Sequence, residues 1–237
     1  MTAGREKRQE VSVRQQLAAP RQTASRQTPA RQHTAQRPPD GSLGAAFPAR
    51  RLRRGSRWHR QHQRTDGAWW FASSGQGRFD LPRPLGTCYL ASSAAGAIRE
   101  RIGPDLLAHG KVPASVLTGR VVSALHLQQP ARAADLDHVA AAAHLVAREL
   151  PVMTPYDLPQ AWARVLHRDG FDAVIAGLRC SPGDGTGLAL FGEAGQQQWP
   201  ADDTPRDAAQ LASTLGIRLI DSPTAAQVTI ERPGGTV

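Results

Sequence analysis

Five side chains in the middle of this chain have the types and spacing that chemistry on a phosphate-bearing ligand would need. Arg60 and Arg78 each offer a planar fork of N–H donors that matches phosphate oxygens bidentately. Tyr89 lies eleven residues after Arg78, and Glu100 eleven residues after Tyr89. A tyrosine ring stacks on a flat or cationic ring. A carboxylate stabilises the positive charge that develops on a sugar as its glycosidic bond breaks. Ser181 offers a hydroxyl that can bond a phosphate or a ribose. Each residue also has a plain structural reading. The arginines read equally as surface cations, Tyr89 as a core residue in mid-strand, Glu100 as a solvated glutamate between Arg99 and Arg101, and Ser181 as a turn serine before Pro182.

The elements that must position these residues are legible in outline. Ala68–Ala72 is a short apolar run with strand character, and Gly86–Ala91 is another, carrying Tyr89. Ser92 or Ser93 can cap a helix that runs to about Ile102, where Gly103-Pro104 is expected to stop it. On that helix Ser93, Gly96 and Glu100 share one face, and Ala94, Ala97, Ile98 and Ile102 form an apolar stripe. The small residues beside Glu100 are expected to leave room for a ligand. Val112–Leu127 reads as one or two strands about Thr118-Gly119. The Ala-rich stretch 133–150 reads as a helix, and Leu158–Arg168 as a second, with Pro159 in its first turn. Phe171–Leu178 reads as a buried strand, Arg179–Gly187 as a glycine-rich loop that presents Ser181, and Leu188–Gly192 as a strand. Residues 193–214 give no decided pattern, and Ile217–Ile220 and Gln227–Glu231 read as late strands. Strands separated by single helices and long loops indicate a mixed α+β domain, not a regular doubly wound sheet.

Charge divides the 237-residue chain. Thirteen of its 29 lysines and arginines but three of its 20 acidic residues fall in residues 1–57. The remainder is near neutral, so the net charge of +9 belongs to the leader and argues little for a nucleic-acid-binding domain. Residues 1–45 read as a disordered basic tail of Arg-Gln and Gln-Thr pairs ending in Pro38-Pro39-Asp40-Gly41. The following run of Arg50, Arg51, Arg53, Arg54 and Arg57 would support weak nucleic-acid contact through residues 1–57. A folded domain is expected over 46–222, and a C-terminal extension over 223–237. Cys88 and Cys180 lie in apolar runs and form no disulfide framework, which suits a reducing cytoplasm. No apolar run is long enough for a transmembrane helix.

Several common sites are excluded. Neither lysine follows a phosphate-binding glycine loop. Gly183–Gly187 precedes an apolar strand, not a helix, so it is no dinucleotide fingerprint. His59 and His62 have half of a metal spacing but no thiol or carboxylate partner, and no metal is expected.

Taken together and in order, Trp58-His59-Arg60, Gly77-Arg78-Phe79-Asp80, Cys88-Tyr89-Leu90-Ala91 through Ala97 to Glu100, and Leu178-Arg179-Cys180-Ser181 with Gly187–Phe191 resemble the RES family. The similarity spans about residues 57–192, and its specific part is the succession Gly-Arg-Phe, Tyr-Leu-Ala, Ala-x-x-Glu. The resemblance implies an ADP-ribosyltransferase-like α+β fold of mixed sheets with flanking helices. It implies NAD as substrate, cleaved at the nicotinamide–ribose bond by water or phosphate, and a toxin held by an antitoxin with a helix-turn-helix region. It assigns Arg78 and Glu100 to catalysis, and Arg60, Arg78, Tyr89 and Ser181 to NAD binding. Tyr89 is the ring-stacking tyrosine of the pattern, and Ser181 its serine. Two other outcomes follow from the same residues. One is a mono-ADP-ribosyltransferase acting on a macromolecule, with the basic leader as a docking arm. The other is a non-enzymatic module that binds nucleic acid through that leader.

Overall fold

The structure, a computed structural model, describes residues 34–43, 46–181, 183, 185–201 and 204–221. In chain order its elements are β1 (Ala49–Leu52), β2 (Arg57–Gln63), β3 (Trp70–Phe71), β4 (Leu85–Ala91), α1 (Ala94–His109), β5 (Val112–Pro113), β6 (Arg120–His126), β7 (Ala131–Asp135), α2 (Asp157–Arg168), β8 (Ala173–Gly177), β9 (Thr186–Glu193), β10 (Gly195–Gln196), β11 (Arg206–Asp207), α3 (Ala208–Thr214) and β12 (Leu219–Ile220). One large sheet has the order β1-β7-β8-β9-β4-β2-β6-β11. Its pairs are antiparallel except β7–β8. The protein is thus a mixed α+β domain with few helices, as the strand and helix spacing indicates.

Alternation along the central strands explains how the sheet is covered on both faces. In β8, Val174 and Ala176 join a core built on Trp162 and Leu166 of α2 with Phe47, Phe79 and Phe171. Ala173 and Ile175 join a second core with Trp69, Phe71, Cys88 and Leu125. The neighbouring β9 divides the same way, with Ala189 and Phe191 on one side and Leu188 and Leu190 on the other. A strand buried on both faces reads as one continuous apolar run, which is why these two strands are visible in the sequence. A third cluster packs Ile98 and Ile102 of α1 against Val112, Leu117, Val122 and α3.

The sheet has one weak seam. β4 and β9 pair over seven residues, Leu85 with Glu193 through Ala91 with Gly187. β2 and β6 also pair over seven, Arg57 with His126 through Gln63 with Arg120. Between these blocks, β2 and β4 meet in the single pair His59–Ala91. The cleft described below lies along this junction.

Three expectations are corrected. Residues 133–150 are not a helix. Ala131–Asp135 is a strand, followed by a 3₁₀ helix at Val139–His144. Ala133 and Ala134 are fully buried between neighbouring strands, so packing from both sides overrides alanine's helix propensity. Gly103-Pro104 does not stop α1, which continues to His109. An interior proline costs about 3 kcal/mol, and full burial of Ile98 and Ile102 returns about 1.5–3 kcal/mol each. Gly103 is a packing residue, because a Cβ there would collide with Cys180. Third, the expected disordered tail of 1–45 does not extend that far. Residues 34–43 lie along α2, with Gln36 buried and the Trp162 indole N–H donating to the Arg37 carbonyl (2.9 Å). The rest of that segment, the extension 223–237 and the strand expected at 227–231 lie outside the described residues.

Candidate active site

Gly77–Asp80 and β4 build one wall of a cleft of about 490 Å³, within the range of small-molecule and cofactor sites. Asp80 organises this wall. Its buried carboxylate accepts hydrogen bonds from the Gly77 N–H (3.0 Å), the Ser74 hydroxyl (3.4 Å) and the Tyr89 hydroxyl (2.8 Å). Tyr89 Oη also accepts from the Phe79 N–H (2.8 Å). With both phenol positions occupied, the ring of Tyr89 is held at the cleft surface. Burial, and then the negative charge of Asp80, push its pKa well above the usual tyrosine value, so the phenol stays neutral. Gly77 must be glycine here, because a Cβ would strike the Asp80 carboxylate and the Tyr89 hydroxyl.

Arg78 projects from this locked turn into the cleft. Its Nε donates to the Met153 carbonyl (3.3 Å), and its guanidinium carbon stands 5.3 Å from the centroid of the Tyr156 ring. Burial lowers its pKa, partly offset by Tyr156, and Glu100 and Tyr89 also favour its charge while Arg179 opposes it. Among the described residues the ion pairs are Arg50–Asp135, Arg64–Asp207 and Arg168–Asp169, and Arg78 takes part in none. A desolvated cation without a carboxylate partner favours any anion that enters.

Glu100 sits on α1 across the cleft. Its Oε1 accepts from the Cys180 backbone N–H at 2.6 Å. Leu178 fills the notch at Gly96 and Cys180 the notch at Gly103, so the chain at 178–180 is stitched along α1. The space expected beside Glu100 at Gly96 is therefore taken by Leu178. The open volume lies instead on the side of Ala97, Arg101 and Pro104. The Cys180 thiol is pushed up in pKa by burial and then by Glu100, which does not favour a reactive thiolate.

Arg60 also lines the cleft, but much of its guanidinium is engaged. Nη1 donates to the Ala68 and Trp70 carbonyls (2.8 and 2.7 Å) and lies 3.3 Å from Cys88 Sγ. Ser181 does not line the cleft. It is buried, and its hydroxyl has no hydrogen-bond partner among the described residues. Asp184 of the glycine loop lies outside the described residues. His62 is a structural histidine, its Nδ1 beside the Gln63 and Asp66 carbonyls (2.7 and 3.1 Å) and its Nε2 beside Ser123 Oγ (3.0 Å). His59 lines the cleft, and its buried Nδ1 makes no hydrogen bond among the described residues.

The structure thus brings Arg60, Arg78, Tyr89 and Glu100 to one cleft, and Ser181 is not among the residues that line it. Sequence reasoning missed Asp80, Tyr156, Arg179 and the Met153 carbonyl. Asp80 was visible at the end of the Gly-Arg-Phe-Asp run, because a buried carboxylate after a tight turn has to be satisfied by nearby donors. Tyr156 carried no local signal.

Comparison with known proteins agrees with this architecture. The RES domain matches residues 31–209, and the chain belongs to the RES domain family. Among solved structures, one chain of the M. tuberculosis MbcT–MbcA toxin–antitoxin complex superposes with a TM-score of 0.52 at 15% identity, over 69% of this chain and 90% of that one. At this identity the likeness is one of fold. No curated protein matches the chain significantly in sequence.

Proposed function

We propose that the protein consumes NAD, cleaving the bond between nicotinamide and ribose. The observation that carries this reading is the pairing, across one cleft, of an unpaired, half-buried guanidinium at Arg78 with the Glu100 carboxylate. Arg78 binds the diphosphate, and the fixed ring of Tyr89 stacks on the nicotinamide ring. Glu100 stabilises the positive charge that develops at the anomeric carbon as the C–N bond stretches. The bonding pair leaves with the nicotinamide nitrogen and neutralises its positive charge, so the leaving group needs no proton. Water or phosphate then forms the new C–O bond, and water gives up its proton to solvent or to Glu100. The donor set fits such a substrate, with arginines for phosphate, an aromatic face for a cationic ring and one carboxylate for the sugar. Arg60 offers only the part of its fork that the Ala68 and Trp70 carbonyls leave free.

RES family membership and the likeness to a chain of a toxin–antitoxin complex support a further reading. The chain acts as a toxin in the cytoplasm, restrained by an antitoxin with a helix-turn-helix region. The test is NAD consumption by the purified protein, with and without phosphate, beside Glu100→Ala. We expect nicotinamide release by the unaltered chain and at least a roughly hundredfold loss in the variant. Intact NAD under both conditions overturns the reading. Release that depends on an added protein or nucleic acid, with label left on that acceptor, identifies a mono-ADP-ribosyltransferase instead.

A further inference from the structure

Arg78 is the cation on which the site depends, and its orientation is set from outside the cleft wall that carries it. Its Nε is fixed by the Met153 carbonyl and its flat face by Tyr156. Both belong to the turn that leads into α2. That turn is fastened at its start, because the Glu149 carbonyl accepts from the Val152 and Met153 N–H groups (2.9 and 2.8 Å). Glu149 is in turn clamped by the segment that opens the described chain. Its Oε1 accepts from Thr34 Oγ1 and from the Gln36 N–H, each at 2.5 Å. The buried amide of Gln36 completes the clamp. Its Oε1 accepts from the Ala147 N–H (2.8 Å), and its Nε2 donates to the carbonyls of Leu145 (3.1 Å) and Arg37 (2.9 Å). Leu145 is the one non-glycine among the described residues held at positive φ (62°), a conformation that costs about 1–2 kcal/mol. A strained residue persists where its surroundings over-determine it, and here a buried amide bonds the Leu145 carbonyl and the N–H two residues further on.

We infer that Gln36 and Glu149 form a positioning clamp that sets the orientation of the Arg78 guanidinium through the 149–156 turn. Gln36 and Glu149 are positioning residues, since neither lines the cleft. The observed connections are contiguous, running from Thr34 and Gln36 to Glu149, to Met153 and to Arg78. The clamp also gives a physical reason for residues 34–37 to be ordered although they hold no aromatic or branched aliphatic side chain. Their order comes from satisfying backbone and carboxylate groups of the neighbouring loop, which apolar patterning does not reveal.

The consequence for turnover rests on the NAD reading, whereas the consequence for Arg78 itself does not, so two measurements are made on the full-length chain. The first is the reactivity of individual arginines toward butanedione, read by mass spectrometry in the unaltered protein and in Glu149→Ala. We expect Arg78 to react several-fold faster in the variant. Arg132, which stacks on Phe171 with its guanidinium carbon 3.8 Å from the ring centroid, should be unchanged. Equal acceleration at Arg132 reports general loosening and overturns the inference, as does an unchanged Arg78. The second is steady-state NAD cleavage. Release of Arg78 should raise KM for NAD roughly tenfold, the scale of one weakened charge-assisted contact, with kcat retained. A loss of folded protein would lower kcat and leave KM alone. Glu149→Gln keeps an accepting oxygen and should restore most of KM. Should Glu149→Ala fail to fold, Thr34→Val removes one bond at an exposed position and should give a smaller rise in Arg78 reactivity. An unaltered protein inert toward NAD removes the proposed function but leaves the arginine measurement to decide the clamp.

Discussion

Arg78 and Arg60 line one cleft and serve it differently. Arg78, just before β4, is held by one carbonyl and one ring face, and among the described residues no carboxylate pairs with it. On the β2 side, the Nη1 of Arg60 is bonded to two carbonyls and lies against the Cys88 thiol. Burial raises the pKa of that thiol while Arg60 acts to lower it. The difference teaches that lining a cleft is not the same as serving a ligand. An arginine whose donors are engaged by backbone carbonyls braces the wall. Neither arginine takes part in an ion pair among the described residues, but one held through Nε alone keeps its terminal nitrogens for an anion.

The largest effect expected from this contrast is on catalysis. Arg78→Ala should lower kcat/KM for NAD roughly hundredfold, about 2.7 kcal/mol of transition-state stabilisation, with the melting temperature nearly unchanged. A variant that melts early and keeps its kcat/KM would reverse the assignment. The next effect is on stability. Arg60→Ala should cost about 2 kcal/mol, because it leaves the Ala68 and Trp70 carbonyls without their charged donor. That corresponds to a melting temperature lower by roughly 4–8 °C for a domain of this size. Strong loss of activity at unchanged melting temperature would place Arg60 beside Arg78 as a ligand-binding cation. The smallest effect concerns pH and again separates the two sides. His59 and His62, both on β2, have pKa values lowered from 6.5 chiefly by burial. The unfolded chain therefore binds protons that the folded chain does not. The stability they contribute is full above pH 6.5 and is lost as pH falls below it toward the folded-state values. Melting curves between pH 7.5 and pH 5 should show this decline. His62→Gln should flatten it, and an unchanged slope would show that His62 does not contribute.

How much of this was legible in the sequence depends on the range of the interaction. β8 and β9 were visible because burial on both faces writes a continuous apolar run. The core of α1 was visible through its cap, Ser93, whose Oγ accepts from the Gly96 N–H (3.0 Å), and through its apolar stripe. Its true end was not, because the role of Gly103 depends on Cys180, which arrives from a distant loop. Ala131–Asp135 was misread because alanine's local preference is helical and the pressure toward a strand comes from β1 and β8. In the candidate site, Arg78, Tyr89 and Glu100 were singled out through the resemblance to the RES pattern, and the structure brings them to one cleft. The residues around Arg78 were not singled out, since Met153 and Tyr156 meet it, and Gln36 meets Glu149, only through contacts between segments far apart in the chain. Ser181 shows the converse limit, because its position in the pattern gave no hint that it is buried and does not line the cleft.

The fit between α1 and residues 178–180 has a consequence for heredity. Gly96 admits Leu178, Gly103 admits Cys180, and Glu100 between them bonds the backbone of the same segment. Positions 96, 103, 178 and 180 are therefore not free to drift one at a time. A lineage that enlarges residue 96 or 103 must shrink its counterpart or shift the loop, and a shifted loop would take its N–H away from the carboxylate at 100. Compensating pairs of substitutions should mark these positions, while the exposed outer face of the same helix diversifies freely.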